Sequence, residues 1–376
     1  MDERELRKEI MQSVRRVVIK VGSSLLVSLG TGLNKELISR LAEDLESLKT
    51  KRKQIVMVSS GAIAAGMERL GLKKRPKTIS ELQAAAAIGQ SSLMHVYEEA
   101  FAPWGLKVAQ VLLTHEDMRE RKRYINARNT LFTLLDLGII PIINENDSVV
   151  VEEIKFGDND VLAALVTSLV DADILVILTE IDGLYSGEFQ NGETLISLVE
   201  RVNKKVEEMA KGSKTEIGTG GMVSKVGAAK LAAYFGVPTV VTSGRIHKVL
   251  EKVFSGELLG TLFLSRGRRP KGRKQWIGFT LRPKGKLKLD KGAKEAIVKG
   301  GKSLLPSGII AIEGSFGRGE SVSCLDLYGK EFARGLVNYD FLELKKIMRR
   351  QSSQIEEILG YKYTDEVIHR DNLVIL

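Results

Sequence analysis

A chain of 376 residues, 43% hydrophobic and 28% charged, is sized for two domains and has the balance of a soluble globular protein. The longest apolar runs, such as ADILVIL at 172–178, are far too short to span a bilayer, and the first ten residues, MDERELRKEI, lack the apolar core of a secretory signal. The formal charge of +10 is concentrated: fourteen Lys and Arg lie between Arg266 and Lys302 against two acids, Asp290 and Glu295, which leaves the rest of the chain near neutral.

In chain order, RVVIKVGSS (16–24) predicts a strand running into a Gly-Ser loop, and LNKELISRLAEDLESLKT (33–50) a helix with Leu37, Leu41, Leu45 and Leu48 on one face. QIVMVSSGAI (54–63) predicts a second strand and loop, and the Ala- and Leu-rich stretch 79–101 a long helix. KVAQVLLT, IIPIINEN, ADILVILTE and PTVVTSG are further apolar strands. Strands separated by helices predict an α/β fold, a three-layer α/β/α sandwich with a mostly parallel sheet, whose ligands sit beyond the carboxyl ends of the strands. SRGRRPKGRKQ reads as a basic linker. After it, short alternating strands and frequent glycines predict a small, mainly β domain, closed by one helix over about 339–360 and a short tail. The expected boundaries are 1–265, a linker at 266–275, a second domain at 276–362 and a tail at 363–376. The single cysteine, Cys324, excludes an internal disulfide, points to a reducing, cytoplasmic setting, and alternates with polar neighbours as a core residue of a strand would.

The loops at the strand ends carry the chemistry. No P-loop is present. Instead GTGGMVSK (218–225) leads into a helix; its glycines let backbone N–H groups approach an anion, and Lys225 falls in the first turn. Lys20 ends the first strand, where burial without a counter-charge would be costly, so a phosphate or a neighbouring acid is expected beside it. Ser60 lies in a third loop of the same kind. The acidic stretch NENDSVVVEEIKFGDND (144–160) follows an apolar strand. Within it Asp147 and Asn159 are placed to hold an amino-bearing substrate and Asp160 to orient the two lysines, whereas Glu152, Glu153 and Lys155 read as the exposed face of a hairpin. The four histidines fall outside these loops and read as structural or solvated.

VVIKVGSS, SSGAIAAG, AAIGQS, INARNTL, PIINENDSV, KFGDND, DGLY and GTGGMVSK, in this order over about 16–265, make the chain resemble the glutamate 5-kinases of the amino acid kinase family. The region beyond resembles the PUA domain that many of them carry. The resemblance implies an enzyme that phosphorylates the side-chain carboxylate of L-glutamate with ATP and Mg²⁺, opening proline synthesis. It further implies that Lys20 and Lys225 contact the transferring phosphates, that Asp160 organises them, and that Ser60, Asp147 and Asn159 bind glutamate. Thr179, Glu180 and the loop Thr219, Gly220, Gly221, Met222, Val223, Ser224 and Lys225 would meet the nucleotide; Glu180 departs from the Asp of many relatives. The metal ligands are unassigned. Proline inhibition, a homo-oligomer and a glutamyl phosphate reductase partner are implied by the resemblance alone. The competing readings are a kinase for another carboxylate, such as N-acetylglutamate, and an RNA-binding or regulatory protein with an inert kinase-like half. NENDSV with GDND disfavours the first, because a blocked amine gives Asp147 no counter-charge. The site residues disfavour the second, and thin aromatic interleaving in the basic segment (Trp276, Phe279) makes RNA possible but not favoured.

Overall fold

A computed structural model describes residues 2–28, 32–149, 159–186, 194–212, 221–265 and 283–376. The chain divides into two compact units, Met1–Arg269 and Pro270–Leu376. In the first, the strands are β1 (Arg16–Val21), β2 (Val27–Ser28), β3 (Gly32–Leu33), β4 (Gln54–Ser59), β5 (Val108–Leu113), β6 (Ile140–Glu145), β7 (Ile174–Thr179), β8 (Tyr185–Ser186), β9 (Thr194–Leu195), β10 (Leu198–Val199), β11 (Thr239–Ser243) and β12 (Thr261–Phe263). The helices are α1 (Glu3–Ser13), α2 (Ser23–Leu26), α3 (Lys35–Thr50), α4 (Ala62–Arg69), α5 (Ile79–Phe101), α6 (His115–Arg119), α7 (Arg121–Asp136), α8 (Asn159–Leu169), α9 (Lys204–Gly212), α10 (Met222–Tyr234) and α11 (Val249–Phe254).

Eight strands form one sheet in the order β10-β12-β11-β7-β1-β4-β6-β5. β1 pairs in parallel with β4 and β7, β7 with β11, and β4 with β6, while β12 runs antiparallel to β11. The interior strands are buried on both faces, which is why they read as unbroken apolar runs. Side chains of β1 alternate: Val17, Ile19 and Val21 enter a core shared with Met11 of α1, Leu41 and Leu45 of α3, Leu93 and Tyr97 of α5 and Leu250 of α11. Lys20 therefore points to the opposite face, where α8 packs on β1 and α10 packs on α8.

Two glycines set the seat of α4. A Cβ on Gly66 would lie 1.7 Å from the Ala85 carbonyl oxygen, and one on Gly89 would lie 1.8 Å from that of Ala62. Backbone thus meets backbone where α4 crosses α5, a distance no larger residue permits. Thr78 and Glu81 close a reciprocal cap on α5.

The second unit holds a five-stranded sheet, β14-β13-β15-β16-β17, from β13 (Gly285–Leu289), β14 (Ile309–Gly314), β15 (Ser321–Leu325), β16 (Glu331–Leu336) and β17 (Leu373–Ile375). Cys324 is buried in β15, and burial pushes its thiol up to about 12. The segment read as a tail, 363–376, contains β17, whose antiparallel pairing with β16 makes it the sheet edge. The single helix expected over 339–360 is two, Phe341–Ile347 and Ile355–Leu359. Arg349 breaks it: its φ is +64°, its N–H donates to the Pro306 carbonyl and its guanidinium to the Ile310 carbonyl. Leu344, Ile347 and Ile355 still reach the core from the two pieces. Among the described residues no helix is long and apolar enough to cross a membrane.

Candidate active site

The carboxyl ends of β1, β4, β6, β7 and β11 come to one edge of the sheet, on both sides of the central β1. Lys20, next to last in β1, is 6% exposed, and Lys225, in the first turn of α10, is 5% exposed. Between them stands Asp160, 1% exposed, in the first turn of α8. Lys20 Nζ lies 2.5 Å from Asp160 Oδ1, Lys225 Nζ lies 3.3 Å from Oδ2, and Ser224 Oγ donates to Oδ2 at 3.0 Å. Burial pulls the Asp160 carboxyl upward, but the charges of Lys20 and Lys225 and the hydrogen bonds outweigh it and hold the group below the usual carboxylate range. Two buried ammonium groups share one carboxylate, and the surplus positive charge favours an anion at this spot.

A second group lies beside it. Asn159 Nδ2 donates to Ser60 Oγ at 2.9 Å and to Asn144 Oδ1 at 3.1 Å, joining the loop after β4 and the end of β6 to the start of α8. Asp147 sits in the turn after β6 and shares a recess of about 30 Å³ with Ala62, Ala86, Gln90 and Glu145. That is room for a water- or ammonium-sized group. Burial and then the nearby Glu145 charge push the Asp147 carboxyl up to about 7, with Arg75 opposing. Glu145 itself is buried and lies 3.2 Å from His115 Nδ1 at the head of α6.

At the end of β7, Thr179 is buried and its carbonyl accepts from Gly244 N–H, while the Glu180 carboxylate lies 3.5 Å from the Arg245 guanidinium at the rim. Gly221 precedes α10 and accepts from Ser224 N–H; Met222 is buried and Val223 exposed. Thr219 and Gly220, like Glu152, Glu153 and Lys155, lie outside the described residues. So Lys20, Asp160, Ser224 and Lys225 form one cluster and Ser60 and Asn159 a second. Asp147 lines the neighbouring recess.

Sequence reasoning passed over Asn144, Glu145 and Gln90. Asn144 and Glu145 end a strand whose preceding residues are apolar, and Gln90 is a polar residue on the buried side of an Ala- and Leu-rich helix. Burial in an apolar setting was the available signal.

The fold is that of an α/β protein with a mostly parallel sheet, and it carries a buried cationic cluster at the strand ends. Residues 15–243 match the amino acid kinase family and 285–359 the PUA domain; the chain belongs to the amino acid kinase family. It is 52% identical over 373 residues, 99% of this chain and 100% of the relative, to a glutamate 5-kinase of Geobacter sulfurreducens. It is 50% identical, over the same shares, to a glutamate 5-kinase of Nitrosomonas eutropha. Among solved structures it is similar in fold to a carbamate kinase from Giardia lamblia bound to AMP-PNP, with a TM-score of 0.50 and 15% identity over 68% of this chain and 100% of that one.

Proposed function

We propose that this chain transfers the γ-phosphoryl group of ATP to the side-chain carboxylate of L-glutamate, giving ADP and L-glutamyl 5-phosphate, the first step of proline synthesis. The observation that carries the reading is the pair of buried lysines sharing Asp160 at the strand ends. The nucleophile is a carboxylate, ionised at neutral pH, so the reaction requires no general base. What it requires is alignment and positive charge around the migrating group. Lys20 and Lys225 supply the charge, and Asp160 holds both ammonium groups so that neither must reorganise during transfer. Loop amides around Gly221 and the start of α10 face the phosphates, with Thr179 and Glu180 toward the rest of the nucleotide.

Asp147 meets the substrate ammonium, and Ser60 and Asn159 make further contacts with the substrate's polar groups. Full-length similarity to proteins named glutamate 5-kinase supports this choice of acceptor. Both Asp160 oxygens are engaged by lysine and serine, and among the described residues no group of three His, Cys, Asp or Glu is placed to hold a metal. Among the described residues the side chains therefore assemble no three-ligand magnesium site of their own. In this reading the Mg²⁺ that accompanies ATP is carried by the phosphates and water, its usual preference, and no step is assigned to protein ligation.

The PUA unit stands outside the chemistry in this reading. A cytoplasmic location is supported by the single buried thiol of Cys324. Proline inhibition, a homo-oligomer and a reductase that receives the labile acyl phosphate complete the proposal, on the strength of the motif resemblance. The test is ADP release with free L-glutamate against N-acetylglutamate. Turnover with L-glutamate at least tenfold faster supports the assignment; faster turnover with the acetylated compound refutes it.

A further inference from the structure

We infer that Gln90 is a positioning residue: by accepting from Asn144 it secures the amide relay whose polarity the Glu145 N–H sets, and so holds the acceptor-binding site in one orientation. The inference rests on the reading of Ser60 and Asn159 as partners of the substrate. Gln90 is 8% exposed on α5, next to Gly89, whose contact with the α4 backbone fixes the local position of the helix. Its Oε1 accepts from Asn144 Nδ2 at 2.9 Å, and its Nε2 faces Gln110 Oε1 at 3.4 Å. Asn144, 1% exposed, uses its Oδ1 to accept from Glu145 N–H at 2.9 Å and from Asn159 Nδ2 at 3.1 Å. The second hydrogen of Asn159 Nδ2 goes to Ser60 Oγ at 2.9 Å.

Each amide in this series has one permitted orientation. The backbone N–H of Glu145 cannot turn round, so Asn144 must present oxygen to it and nitrogen to Gln90. Asn159 must then present nitrogen to Asn144 and Ser60. Two groups are left over at the far end. Asn159 Oδ1 is buried without a partner among the described residues. Ser60 Oγ already accepts a hydrogen bond, so its own hydroxyl hydrogen is free to donate. One acceptor and one donor are left together, which suits a zwitterion: the ammonium that Asp147 meets also reaches the carbonyl oxygen, and a carboxylate takes the hydroxyl. Without the acceptor on Gln90, Asn144 Nδ2 is left buried and unpaired, and the flipped arrangements come closer in energy. A flipped Asn159 would turn an NH₂ group toward the ammonium.

Gln90 also lines the recess beside Asp147, so direct contact with the substrate is the rival explanation. Two variants and a double variant separate the cases. Gln90→Met keeps the length and removes the acceptor, whereas Gln90→Glu keeps the acceptor. In Gln90→Met the glutamate KM rises about tenfold, the worth of about one hydrogen bond, while the ATP KM and kcat stay within about twofold. Gln90→Glu recovers most of the affinity. In an Asn159→Ala background Gln90→Met adds nothing further. An unchanged glutamate KM in folded Gln90→Met, or a Gln90→Glu as impaired as Gln90→Met, overturns the relay. An effect that persists in Asn159→Ala assigns Gln90 to direct contact and overturns it equally. NMR hydrogen exchange of the Asn144 and Asn159 side-chain amides in the unliganded protein reads the relay without any substrate. Protection is expected in wild type and Gln90→Glu and lost in Gln90→Met, and its retention in Gln90→Met overturns the relay. Absence of glutamate turnover in the wild type would instead refute the proposed function and leave that reading of the relay intact.

Discussion

Moving the pH from 8 to 6 carries Asp147 through its own ionisation. With its carboxyl pushed up to about 7, roughly nine-tenths of the unliganded enzyme carries the charge at pH 8 and about one-tenth at pH 6. The substrate carboxylates stay ionised across this window, and its ammonium stays protonated over most of it. If only ionised Asp147 accepts that ammonium, the apparent glutamate KM rises about tenfold from pH 8 to pH 6, while the ATP KM changes little. The assay is ADP release against glutamate at saturating ATP and fixed ionic strength. Asp147→Asn raises the glutamate KM at pH 8 and flattens the profile. Stability should move the other way. A carboxyl raised above its unfolded value is cheaper to ionise in the unfolded chain, so its cost to the fold grows as pH rises from about 4 to about 7. Asp147→Asn should therefore stabilise the unliganded protein at pH 8, by at most about 4 kcal/mol, and leave stability near pH 4 unchanged. A wild-type glutamate KM varying less than about twofold, or the same slope in Asp147→Asn, would refute the assignment of Asp147 to the ammonium.

Lys20→Ala and Lys225→Ala should each lower kcat by roughly 10²–10³-fold, the usual cost of removing a transition-state donor, and near-normal turnover of either folded variant would remove that lysine from the mechanism. Asp160→Ala leaves two buried ammonium groups without their carboxylate and should cost about 3–5 kcal/mol in urea unfolding at pH 7; because its carboxyl is depressed, the stability it gives is lost only as pH falls below the ordinary carboxylate range. Gly66→Ala places a methyl 1.7 Å from the Ala85 carbonyl oxygen, so α4 must shift. A loss of about 1–3 kcal/mol is expected, with a raised glutamate KM because Ser60 leads into that helix; an unchanged melting temperature would show that the α4–α5 crossing is not close.

Much of this protein was legible before folding. The buried parallel strands announce themselves because both faces are covered, so Arg16–Val21, Gln54–Ser59 and Ile174–Thr179 are apolar throughout except where a polar residue has work at the strand end. Lys20 and Lys225 stood out by position, the first closing an apolar strand where burial demands a counter-charge and the second in the helical turn after a Gly-rich loop, and in the structure both find Asp160. The break at Arg349 was not legible, because helical spacing of Leu344, Ile347 and Ile355 continues across it and the local anchor is the Pro306 carbonyl, 43 residues away in sequence. Nor was the edge strand Leu373–Ile375, which is defined by its partner Ala333–Gly335 more than by its own three residues. The amide relay belongs wholly to the tertiary structure. Gln90, Asn144, Asn159 and Ser60 come from four separate segments, and each is an ordinary polar residue alone. Their directions are fixed only when burial removes water and forces every donor to find an acceptor.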